Sequence, residues 1–179
     1  INGQIRALRV FFNFCLQEGY VKASPMDNIK TLKEKGRTIK PFSPEQMRKI
    51  LSTPNKKIFV GLRDYTILSL LLDTGIRVSE LCGIRIKDIN LEAMQIFITG
   101  KGDKERTVPI GNQLCKNLTR YLLQVDDLRP DDYAFITVDS LPVSVRTIQE
   151  RIEVYGKRAK ITGVRVSPHT FRHTFAINY

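Results

Sequence analysis

Apolar residues in this chain recur at helical spacing over most of its length and alternate only briefly. Ile5, Leu8, Phe12 and Cys15 fall three to four apart, which predicts a first helix stopped by Gly19. Phe11 and Phe14 add apolar surface beyond that stripe. A partner helix, upstream or in another chain, is expected to cover it. Ser43-Pro44-Glu45-Gln46 is a capping box with proline at the first helical position, leading into Met47, Ile50 and Leu51. The next helix runs over about 59–73. Its stretch 67–72 is apolar nearly all round, so it belongs at the centre of a core, and it stops at Thr74-Gly75. The period then shortens to two. Residues 95–99 and 106–110 read as strands joined by a glycine-rich turn. Helices follow over about 112–123 and 144–159, separated by a short strand at 133–137. A last helix opens at Ser167-Pro168.

Charge changes the picture more than composition does. The 179 residues suit one good-sized domain plus a fragment, and 29 Lys and Arg against 18 Asp and Glu leave a net charge of +11. Such an excess points to nucleic acid or another polyanion. It sits at the front: residues 1–57 hold twelve basic and four acidic side chains, +8, and the other 122 residues only +3. Lys30, Lys33, Lys35, Arg37 and Lys40, with Gly36 among them, read as an extended basic linker able to neutralise backbone phosphates. Arg6 and Arg9 lie on the polar side of the first helix, where a DNA-facing and a solvated role are equally open. Asp126, Asp127, Asp131 and Asp132 form an acidic turn expected to face away from DNA. No apolar run reaches the roughly 18 residues of a membrane span, so no membrane partner is expected. Cys15, Cys82 and Cys115, an odd and widely spaced set, read as reduced core thiols of a cytoplasmic protein.

Candidate chemistry gathers in Ser167-Pro168-His169-Thr170-Phe171-Arg172-His173-Thr174-Phe175, which holds both histidines of the chain. In a helix, His169, Arg172, His173 and Ala176 share one side, while Phe171 and Phe175 fall on another that can enter a core. Two imidazoles and a guanidinium suit a phosphate, which Arg forks and His can protonate. Half a metal site is the competing reading, disfavoured because Arg172 would repel the cation. Arg77 follows the buried helix and its glycine turn, and Glu80 is placed to orient it. Lys101 lies between two glycines at the hairpin turn, where an ordinary solvated lysine is the default.

Taken together, Thr74-Gly75-Ile76-Arg77-Val78-Ser79-Glu80-Leu81, Gly100-Lys101-Gly102-Asp103-Lys104-Glu105-Arg106 with Val108-Pro109, and His169-Thr170-Phe171-Arg172-His173-Thr174-Phe175-Ala176 closely resemble the tyrosine recombinases, or phage-type integrases. The resemblance implies a mainly α fold with a small antiparallel sheet (α+β). It implies that 1–30 are the last helices of a core-binding domain, 31–42 a linker and 43–179 a catalytic domain. It further implies a double-stranded DNA partner and a homotetramer of the full-length protein on that DNA, with no metal or other cofactor. By the same resemblance Arg77 and Arg172 grip the scissile phosphate, Lys101 protonates the 5′-oxygen, His169 assists proton transfer, and Glu80 and His173 support them. The family's nucleophile is a tyrosine that forms a 3′-phosphotyrosine, well beyond the second arginine. Only seven residues follow Arg172 here. The nucleophile is therefore expected to be absent from these residues, leaving the chain inactive in cleavage. Tyr179, roughly 10 Å along the same helix from Arg172, is not expected to replace it. A catalytically silent DNA-binding relic and a type IB topoisomerase-like enzyme remain the alternatives.

Overall fold

A computed structural model of the protein describes residues 1–32, 40–100 and 105–178. The chain forms two compact units, Ile1–Thr38 and Ile39–Tyr179.

In the first unit, helix α1 (Asn2–Gln17) ends at Glu18 and Gly19, whose φ of +76° turns the chain back. The returning segment is held by the Asn2 side chain, which exchanges hydrogen bonds with the Leu32 backbone, and by Arg9, which donates to the Ile29 carbonyl at 2.6 Å. Cys15 and Met26 are buried. Leu8 departs from the expected stripe: it is 47% exposed, and Phe11 and Phe14 are also open. One returning segment is too little cover for all the apolar surface of α1.

In the second unit, the Ser43 hydroxyl accepts from Gln46 N while the Gln46 side chain accepts from Ser43 N, so helix α2 (Pro44–Ser52) begins on a complete capping box. Helix α3 (Phe59–Thr74) is the axis of the core, with Ile67, Leu68, Leu70 and Leu71 at most 3% exposed. Each such side chain contributes about 1.5–3 kcal/mol when fully buried. Helix α4 (Val78–Gly83) and a 3₁₀ turn lead to strands β1 (Ile89–Asn90), β2 (Gln95–Thr99) and β3 (Glu105–Pro109). The three pair antiparallel in sequence order, and β2 buries Ile96 and Ile98 while exposing Phe97. Helices α5 (Asn112–Leu122), α6 (Val145–Arg158) and α7 (Pro168–Asn178) complete the unit, with α5, α6 and α7 all packed on α3.

The expected strand at 133–137 does not form. Tyr133 and Ile136 each make one isolated bridge, to Arg85 and to Pro142. The segment is fastened instead by its buried side chains, Ala134 and Phe135, the latter stacked on Tyr121 at 5.6 Å. α6 is tied to α3 by a buried polar network that the apolar pattern did not suggest. Asp64 accepts from Arg63, from Arg151 Nε at 2.6 Å and from the Tyr155 hydroxyl at 2.8 Å. Burial and the Asp64 carboxylate push the Tyr155 phenol up to about 12. Of the cysteines, Cys15 is buried, whereas Cys82 and Cys115 are half-buried; all three are free thiols. No described helix is long and apolar enough to cross a membrane.

Candidate active site

The site begins where α3 stops. Gly75 takes a left-handed conformation, φ +58° and ψ 20°, which an L side chain adopts only with strain. A Cβ there would lie 2.3 Å from a ring carbon of Phe175, so the same glycine lets α7 approach. Ile76 anchors the turn in the core, and Arg77 emerges as the residue capping α4.

Glu80, one turn into α4, receives the Arg77 backbone N–H at 2.8 Å and Arg77 Nη1 at 2.8 Å. Arg106 of β3 forks onto the same carboxylate, Nη2 to Oε2 at 2.7 Å and Nη1 to Oε1 at 3.1 Å. The Glu80 side chain is 5% exposed, those of Arg77 and Arg106 59% and 41%. Burial alone would raise the Glu80 carboxyl. The hydrogen bonds from Arg106 and from Arg77 outweigh it and hold the group down to about 2. Two guanidinium groups thus share one buried carboxylate and keep their other edges in solvent.

α7 supplies the opposite wall. Its inner face carries Phe171, fully buried and edge-to-face with Phe42 at 5.0 Å, and Thr174, whose hydroxyl accepts from Phe42 N at 2.9 Å. Its outer face presents His169 and Arg172 exposed and His173 half-buried. Arg172 Nη1 donates to the Gly75 carbonyl at 2.6 Å, which fixes its guanidinium at the turn that delivers Arg77. His169, three residues before Arg172, also lines a groove of about 940 Å³ between α6 and the segment 161–168.

The structure therefore gathers Arg77, Glu80 and Arg172 around one turn, with His169 on the face of Arg172. Lys101 lies outside the described residues, though the strands on either side of its turn are paired up to Thr99 and Glu105. Lys33, Lys35 and Arg37 lie outside them as well. Arg6, Lys30 and Lys40 are exposed, while Arg9 is engaged with the Ile29 carbonyl. Among the described residues, no group of three or more His, Cys, Asp or Glu side chains is placed to hold a metal ion. Arg106 was missed as a site residue by the sequence reading. The strand register held the signal: Arg106 pairs with Ile98 and Val108 with Ile96, so the arginine shares a face with core residues and lies within reach of the buried Glu80 carboxylate.

Residues 40–179 match the phage integrase family. The chain belongs to that family of tyrosine recombinases. Its relatives include the tyrosine recombinase XerC of Thermodesulfovibrio yellowstonii, 34% identical over 97% of this chain and 60% of that protein. Another is XerD of Pseudomonas aeruginosa, 35% identical over 96% of this chain and 59% of that protein. The chain thus spans about 60% of the length of these recombinases. The crystal structure of XerA recombinase superposes with a TM-score of 0.69 at 28% identity, over 98% of this chain and 60% of that one. The Tn1549 transposon integrase, solved with circular intermediate DNA, shares the fold at a TM-score of 0.78 and 20% identity, over 99% of this chain and 65% of that one. The mainly helical fold with a small antiparallel sheet is the fold expected of an integrase catalytic domain.

Proposed function

We propose that this chain carries the phosphate-gripping part of a site-specific recombinase that cleaves and rejoins DNA through a 3′-phosphotyrosine. The observation that carries this reading is the Arg172 guanidinium bonded to the Gly75 carbonyl, beside the turn that presents Arg77. Two fixed guanidinium groups at one place can stabilise charge developing on the non-bridging oxygens of a phosphodiester in transesterification. In this reading Arg77 and Arg172 clamp the scissile phosphate, and His169 moves a proton at its edge. Lys101 gives a proton to the departing 5′-oxygen, while Glu80 and His173 support the clamp. Covalent attachment conserves the bond energy for religation.

In this reading the nucleophilic tyrosine is supplied from outside the described residues. Tyr121 and Tyr155 are buried with phenols raised to about 12, the opposite of activation. The same reading gives 1–30 to a DNA-binding domain, 31–42 to a linker and 43–179 to the catalytic domain. Duplex DNA is then the partner, with a tetramer of full-length protein on it.

The test is single-turnover cleavage of a nicked duplex carrying the recombination site, run with a full-length protein that contains these residues. Arg77→Ala and Arg172→Ala should each abolish the covalent protein–DNA adduct and leave DNA affinity within a few-fold, because their contacts strengthen in the transition state. Lys101→Ala should slow cleavage of ordinary DNA and recover on a substrate with a 5′-thiolate leaving group, which needs no acid. DNA binding with no adduct in the unsubstituted protein would sink the reading.

A further inference from the structure

We propose that Arg106 is a positioning residue for Arg77, acting through the buried carboxylate of Glu80 and fastening the hairpin strand to the turn that presents the phosphate clamp. This rests on the cleavage reading above and adds to it a residue outside the expected catalytic set.

Three observations converge on Arg106. Its register opposite Ile98 puts it on the same face of the sheet as that core residue, within reach of the buried Glu80 carboxylate. It finds Glu80 in a two-pronged contact of 2.7 and 3.1 Å, the geometry in which a guanidinium fixes a carboxylate in orientation as well as in place. Glu80 in turn receives both the backbone and the side chain of Arg77. The order is strand, carboxylate, clamp.

The charge balance explains why two arginines are needed. A buried carboxylate with Arg77 as its sole partner would draw that guanidinium inward to satisfy both oxygens. With Arg106 occupying both oxygens from the strand side, Glu80 needs only one nitrogen from the Arg77 side chain. The rest of that guanidinium stays in solvent, 59% exposed, with donors free for an anion. The pair of arginines and one carboxylate also leaves a net positive charge at the turn. β3 begins at Glu105, so the same fork ties the start of that strand to α4.

The experiment measures cleavage rate and DNA affinity separately in full-length protein. Arg106→Ala should slow single-turnover cleavage by about a hundredfold with little change in affinity, the scale expected when a catalytic group is displaced by an ångström. Arg106→Lys keeps the charge but loses the fork, and it should fall between the two. Thermal unfolding establishes that each variant is folded, and the lysine variant carries the test should the alanine protein not fold. The decisive measurement is made on a Glu80→Gln background. There Arg106→Ala should add little, because both substitutions break one chain of contacts. A wild-type rate in the folded variants, or a full additional loss on the Glu80→Gln background, would overturn the proposal and make Arg106 a bystander or an independent DNA contact. Undiminished cleavage by Arg77→Ala in the same assay would instead remove the cleavage reading, and this proposal with it.

Discussion

At Gly75 two requirements meet: a backbone turn with φ +58°, and a Phe175 ring standing where a Cβ would go. Gly75→Ala has to accept left-handed strain of about 1–3 kcal/mol and also push the ring aside. A fall in Tm is expected, together with loss of the Arg172–Gly75 contact, which the chemical shift of the Arg172 side-chain N–H reports. An unchanged spectrum would show that α7 does not depend on this glycine. Glu80 gives a second prediction, in pH. Its carboxyl is lowered from 4.5 to about 2, so its contribution to stability is complete above about 4.5 and is lost as the pH falls toward 2. A shift of that size corresponds to something on the order of 3 kcal/mol. Urea unfolding of the wild type and of Glu80→Gln between pH 6 and pH 2 should show the gap in stability between them closing over that interval. A gap independent of pH would mean that Glu80 titrates alike in folded and unfolded chains.

α7 works as an element because its two faces have different tasks. One face is locked by Phe171 and Thr174, and the other carries His169 and Arg172. Thr174→Val keeps the shape but leaves the buried Phe42 N–H without its acceptor, at a cost of about 1–3 kcal/mol. Calorimetry should find that loss. The division of faces was legible in the sequence, because helical periodicity is local and Ser167-Pro168 marks the start. The Ser43 capping box, the glycine stop of α3 and the alternation of β2 were legible for the same reason. The strand expected at 133–137 was not, since whether an apolar run pairs as a ladder depends on a neighbour that its own residues do not reveal. The Glu80–Arg106 and Asp64–Arg151 contacts span 26 and 87 positions, beyond any local pattern. For Arg106 the pleat alone carried the hint, an arginine in step with Val108. Leu8 failed for the reverse reason: its helix was read correctly, but the surface that would bury it is not supplied by the returning segment.

For the molecule as a whole the uneven charge is the leading fact, with +8 of the net +11 in residues 1–57. DNA binding by this chain should weaken with salt at about 0.9 log units per log of salt for each phosphate neutralised. Gln in place of Lys30, Lys33, Lys35 and Arg37 should lower that slope, as measured by fluorescence anisotropy across salt concentrations. A slope unaffected by the four substitutions would move the contact to the second unit. Within the second unit, Phe42 has both its ring and its backbone N–H held by the inner face of α7. In mechanical terms Phe42 is a point of attachment. It pins the first residues of the second unit to the helix whose outer face holds Arg172 against the Gly75 turn.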